Sequence, residues 1–277
     1  MEKAIGQLFN SSSSGEKSDA VKKLIEQSTP NMDFFLMVIL SVVMAAFGLI
    51  LDSSAVVIGA MLIAPVLSPI LSLAMGIVMF NENLIKRAAF TLGKSLIFAI
   101  GSAFVIGLFF ATKSGVEVPE IISRTSPSLL DAAVAVVAGF AASFALVKPK
   151  LSESIPGIAI SVSLVPPLAA TGLGLATFNF AVAKGAFLLF FINILGIIFA
   201  SVFVFSSMNL YTKRGTADRA IKEVEKKEEE KVVITEKEVK EAKPLNKDPE
   251  ATAVELEDSI EEVAVAEEEV IEQKSEI

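Results

Sequence analysis

Six apolar runs alternate with polar connections along residues 33–210, covering about 33–51, 54–80, 88–111, 129–147, 154–178 and 184–210. Each is near the ~20 residues that a helix needs to cross a bilayer. The pattern predicts an all-α membrane protein with six transmembrane helices. The second run is long enough to tilt or break, and it carries Pro65 and Pro69. The fifth carries Pro166 and Pro167, with Pro156 nearer its start. A proline inside a helix removes a backbone donor and clashes with the preceding turn. In lipid the freed carbonyls need partners, so both breaks are predicted to face protein or a wet cavity.

The two broken runs match each other at a gapless offset of 98 positions. Gly59 falls on Gly157, Pro69 on Pro167, Gly76 on Gly174, Phe80 on Phe178, Asn81 on Asn179 and Lys86 on Lys184. Further upstream, Asp33 falls on Asp131. Residues 33–107 and 131–205 share 11 identities over 75 positions. The weight lies in the types that match, because Gly and Pro dictate backbone geometry. Each repeat holds three spans, an odd number, so the second starts from the opposite face. The expected architecture is two inverted three-helix repeats, 32–112 and 128–212, joined by an extracytoplasmic loop, 113–127. Corresponding Gly/Pro-interrupted segments in two halves point to a binding site or path in a transporter-like protein.

The flanks are different. Residues 1–31 are polar, with a Ser11–Ser14 run, and read as a short cytosolic arm with an amphipathic turn at Ala20–Ile25. A signal peptide is not expected, because ~30 polar residues precede the first apolar run. Residues 213–277 are rich in Glu and Lys, interrupted by Pro244 and Pro249, and lack a sustained heptad. They are predicted to be a disordered or transiently helical acidic cytosolic tail.

Composition sharpens this division. The chain is 53% hydrophobic, with a mean hydropathy of +0.63. Its net charge of −8 hides an asymmetry: residues 216–277 carry 21 acidic and 10 basic side chains, the rest 11 and 14. The side of the termini holds Lys3, Lys17, Lys22, Lys23, Lys86, Arg87, Lys148, Lys150, Lys213 and Arg214. The other side holds only Lys113, Arg124 and Lys184. The positive-inside rule therefore puts both termini in the cytoplasm, with the body in the cell membrane. Cys, His and Trp are absent and Tyr211 is the only tyrosine. Thiol and imidazole chemistry are excluded, and Phe must stand in for the usual interfacial belt.

The candidate residues follow from the breaks. A half-helix beginning after a break points free donors inward, and one ending before it points carbonyls inward. Gly59, Pro65, Ser68, Pro69 and Ser72, with Gly157, Ser161, Ser163, Pro166, Pro167 and Thr171, are the residues expected along a path. The plainer alternative is a pair of kinked helices with hydroxyls bonded to their own backbones. Lys94 and Asn193 are polar candidates inside the spans, Lys94 either facing the interior or snorkelling to the headgroups. Asp33 and Asp131 are read as helix caps, or as coupling-ion ligands; Asp52 as a turn residue; Asn81 and Asn179 as the C-terminal residues of the broken spans. Small residues at four-residue spacing (Ala99, Ala103 and Gly107; Ala135, Gly139 and Ser143; Gly196 and Ala200) read as helix-packing stripes. No catalytic constellation, metal set or phosphate loop appears, so neither an enzyme nor a cofactor is expected.

The stretch Asp52–Ile77, DSSAVVIGAMLIAPVLSPILSLAMGI, resembles the signature of a prokaryotic hydrophobic membrane family called domain of unknown function 389. The resemblance covers about residues 30–210 and implies a multi-span membrane protein. No catalytic or ligand residue carries over from it. The leading expectation is passage of a small ion or solute along the broken second and fifth spans. The alternative is a membrane scaffold or sensor whose tail recruits a partner. A polar cavity bounded by Pro65–Pro69 and Val165–Pro167 favours the first, a sealed dry midplane the second. The expected partners are the lipid bilayer, a small ion or solute and, in an assembly the sequence permits, further copies of the chain; no nucleic acid is expected.

Overall fold

A computed structural model of the chain describes residues 12–111, 118–148, 150–151 and 164–241. Gly157, Ser161 and Ser163 lie outside the described residues, as do Pro156, Lys113 and the tail beyond 241. The chain divides into two compact units, 1–224 and 225–277.

All regular elements among the described residues are helical: α1 (Ser14–Gln27), α2 (Met32–Ile50), α3 (Ser54–Ile63), α4 (Leu67–Met79), α5 (Glu82–Phe110), α6 (Pro119–Ile122), α7 (Leu129–Val147), α8 (Val165–Ala176), α9 (Phe180–Ser207) and α10 (Arg214–Glu241). Four of them, α2, α5, α7 and α9, are long and apolar enough to cross a membrane. The pair α3 and α4 passes the same test together, bent by 50°. Of the predicted fifth span, 154–178, the described part is the twelve-residue α8.

Each long span starts on a side-chain cap. Asn31 accepts from the Phe34 N–H at 2.8 Å, Asn81 from Leu84 at 3.1 Å, Ser128 from Asp131 at 3.3 Å and Asn179 from Val182 at 3.2 Å. Such a cap contributes about 1 kcal/mol. This corrects the reading of Asn81 and Asn179 as C-terminal residues. They open the next helix, so α5 and α9 begin at Glu82 and Phe180, earlier than the apolar runs indicate.

Three corners share one construction. The N–H of Ser53 donates to the Gly48 carbonyl at 2.9 Å, that of Asn81 to Gly76 at 3.0 Å and that of Asn179 to Gly174 at 2.8 Å. These are the six-to-one bonds of a Schellman turn. The residue before each donor has a left-handed backbone: Asp52 at φ 52°, Phe80 at 51° and Phe178 at 57°. For a non-glycine residue that costs roughly 1–2 kcal/mol. A Cβ on Gly48, Gly76 or Gly174 would lie 2.9, 3.1 or 2.7 Å from the backbone nitrogen of Val57, Ile85 or Ala183. Each glycine therefore lets the following helix fold back against it.

The small-residue stripes pack helix on helix. A Cβ on Gly172 of α8 would stand 2.5 Å from the Ala103 Cβ and 2.7 Å from the Ile100 carbonyl oxygen of α5. One on Gly139 of α7 would stand 2.7 Å from the Ile197 Cα of α9. The buried Ser143 and Ser201 hydroxyls pair across the α7–α9 contact at 2.7 Å. The half-helices also cross over: α4 packs on α5 and α9, α8 on α9 and α5.

The described parts of the flanks are largely helical. The amphipathic turn at Ala20–Ile25 belongs to the full helix α1, which buries Ala20, Val21, Leu24 and Ile25 and packs on α4 and α7. Of the tail expected from 213 to be disordered or transiently helical, Arg214–Glu241 is a helix. Ala217, Ala220, Ile221 and Val224 repeat on one face at three- to four-residue spacing and are buried in the first unit.

Substitution at the glycine contacts tests this packing. Gly172→Ala meets backbone atoms that cannot yield, and is expected to destabilise by about 1–3 kcal/mol as overpacking. Gly101, with nothing within 4 Å of an added Cβ, gains helix propensity instead. Gly101→Ala is expected to be neutral or stabilising by up to about 1 kcal/mol. Thermal midpoints in one detergent decide; equal shifts for the two would contradict the packing.

Candidate functional site

The break in the second span is built by Pro65. A residue before proline is pushed out of the helical region, and Ala64 is extended at φ −72°, ψ 122°. Helix α3 stops at Ile63 and α4 restarts at Leu67. Pro69 then occupies the third position of α4, where its missing N–H has no partner within the helix in any case. Pro166 and Pro167 stand at the second and third positions of α8 in the same way. Three of these four prolines therefore start half-helices, and only Pro65 stands within a break.

Neither α4 nor α8 has a side-chain cap, in contrast to the long spans. Their starts meet at one void of about 10 Å³, lined by Met61, Ala64, Val66, Leu67, Leu164 and Val165. Val66 and Leu164 stand at the 98-residue offset, as do Leu67 and Val165. Residues separated by that offset thus line the same void. The volume is about that of one water-sized probe and the described lining is apolar, so the expected polar cavity is not found among the described residues.

The predicted hydroxyls divide. The Thr171 hydroxyl donates to the Pro167 carbonyl at 2.7 Å, a bond to its own backbone. Ser72 is buried and paired at 3.1 Å with Ser28, in the turn after α1. Ser68 is half-buried, and its hydroxyl has no hydrogen bond among the described residues. Gly59 sits against Met44, whose Cε would be 3.0 Å from an added Cβ.

The other candidates lie apart. Lys94 is exposed on α5, its ammonium 4.4 Å from the centre of the Phe90 ring one turn back. It faces outward and leans toward the helix start, the direction of a snorkelling lysine. Asn193 is buried in α9, and its repeat mate Ser95 is also buried, donating to the Thr91 carbonyl at 2.7 Å. Asp131 closes a capping box on Ser128. Asp33 is exposed in the first turn of α2, which Asn31 caps.

Sequence reasoning missed several contacts. Asp52 accepts the Glu120 N–H at 3.0 Å, and Glu120 also holds Ser54 and, at 3.4 Å, Arg124. This ties the loop between the repeats to the α2–α3 corner. The Asn81 amide donates to Asp218 of α10 at 2.7 Å. The recurrent spacing of Gly48, Gly76 and Gly174 four residues before a left-handed residue was a readable signal for the corners.

The placement of the prolines gives a test. Pro69→Ala and Pro167→Ala are expected to shift stability by less than about 1 kcal/mol, since a first-turn proline costs no internal bond. Pro65→Ala frees Ala64 to turn helical and is expected to reduce the 50° bend, read as a longer distance between spin labels at the far ends of α3 and α4 than in either other variant. Pro69→Ala straightening the segment as much as Pro65→Ala would contradict this assignment.

The chain is 31% identical over 175 residues to an uncharacterized protein of Methanocaldococcus jannaschii, covering 63% of this chain and 54% of that one. The chain thus spans about half the length of that relative. No solved structure matches. The profile of the family described as Domain of unknown function (DUF389) matches residues 61–199, half of the chain, and the protein belongs to that family.

Proposed function

We propose that the protein passes a small ion or solute across the cell membrane, along the junction between the α3–α4 break and α8. In this reading there are six spans, both termini are cytoplasmic, and the two halves are related by inversion. The observation that carries it is the meeting of two uncapped half-helix starts, with equivalent residues Val66 and Leu164, at one void. Interrupted helices at matching places in two repeats are the recurring design of membrane transport sites. The void that the described residues line, about 10 Å³, is too narrow for a hydrated ion, so in this reading the structure corresponds to a closed state. Opening separates α4 from α8.

A membrane scaffold or sensor is the second reading. Its support is the apolar lining of the void and the bond of Asn81 to Asp218, which holds the start of α10 on the corner after α4.

The chain has no cysteine, so Val66→Cys with Leu164→Cys introduces a unique thiol pair across the junction. Proteoliposomes are assayed with a panel of small anions, cations and neutral solutes. The transport reading expects one class to cross faster than in protein-free vesicles, to stop when a cleavable reagent bridges the thiols, and to resume on cleavage. Protein-free rates for every solute, or flux indifferent to the bridge, would turn the assignment to the scaffold.

A further inference from the structure

Phe80 and Phe178 are anomalous twice over. Both hold a left-handed backbone, at φ 51° and 57°, where a bulky side chain is an outlier and glycine fits freely. Both are also among the most exposed large apolar residues, at 80% and 77%. Neither phenyl contributes to the core, so the ring itself gains no burial inside the protein. They occupy equivalent corners, at the 98-residue offset, each one residue before the Asn that caps a long helix.

Helix length fixes where these corners sit. Helix α5 has 29 residues and α9 has 28, so both run about 42–43 Å at 1.5 Å per residue. That exceeds the ~30 Å hydrocarbon core and matches the ~40–45 Å that includes the headgroup regions. The start of each helix, and the corner before it, therefore falls at the headgroup level. Charge agrees: Glu82, Lys86 and Arg87 follow Phe80, and Lys184 follows Phe178. The aromatic belts at this depth are built of Trp and Tyr. The chain has no Trp and a single Tyr to fill the role.

We infer that Phe80 and Phe178 are interfacial anchors, one in each leaflet, whose rings lie among the lipid headgroups and hold the two corners at the membrane surfaces. The placement in opposite leaflets rests on the inverted reading given above; the depth does not.

The absence of Trp makes the test clean. Phe80→Trp and Phe178→Trp each supply the only indole. In oriented proteoliposomes, lipids brominated near the headgroup should quench either indole at least about twofold more than lipids brominated near the chain end, as interfacial residence requires. A membrane-impermeant aqueous quencher should reach them from opposite sides. A readout of stability gives the sign: Phe80→Gly and Phe80→Asn both suit the left-handed backbone, and should nevertheless lower the thermal midpoint in lipid nanodiscs, while Phe80→Trp retains it. Strain relief alone gives the opposite sign, so a raised midpoint for Gly and Asn overturns the proposal. So do indoles quenched from water and not by brominated lipid. Indoles shielded from both would mean that a second copy of the chain covers the rings, which also overturns it. Shallow quenching of both from the same side refutes the two-leaflet placement, and with it the inversion, whatever the flux assays give.

Discussion

A chain that crosses lipid must satisfy its backbone hydrogen bonds without water. The architecture depends on how it meets that demand where helices end. At the corners after α2, α4 and α8, the turn closes a six-to-one bond onto a glycine carbonyl, and the same glycine admits the backbone of the returning helix. At two of the three, Asn81 and Asn179 then cap the next span. The antiparallel stacking of α4 on α5 and of α8 on α9 follows from these few atoms. Each half-helix also packs on a second long helix, α4 on α9 and α8 on α5.

Against that background the starts of α4 and α8 stand out. They have no side-chain cap, and prolines in their first turns leave few donors to satisfy. An uncapped start inside a membrane body is tolerated against protein or a cavity, and these two line one small void. The described lining of that junction consists of apolar residues.

Much of this was legible in the sequence, for physical reasons. Gly and Pro report backbone geometry directly, so Gly76, Gly174, Pro69 and Pro167 marked the corners and the half-helix starts. The small-residue stripes gave the faces of α5, α7 and α9 on which helices approach closely, because small residues allow such approach, but not which helix meets which. What failed was ownership. In a connection of two residues, Asn81 belongs equally to the helix before and after, and only the hydrogen bond to Leu84 decides. Gly48 was overlooked because its repeat mate is Leu146. The void lining was invisible, since Val66, Leu67, Leu164 and Val165 look like any apolar residues. The pairs Ser28–Ser72 and Asn81–Asp218 join residues 44 and 137 positions apart, a separation that no local pattern reports. The tail's acidic composition concealed the apolar face of Ala217, Ala220, Ile221 and Val224.

The central claim is that two copies of one three-helix unit, inverted in the membrane, meet at the start of their half-helices. An experimental density map of the protein in lipid nanodiscs tests it most directly, by superposing 33–107 on 131–205. The account predicts a near two-fold axis lying in the membrane plane and passing between Val66 and Leu164. An axis along the membrane normal, or halves that do not superpose, would contradict it.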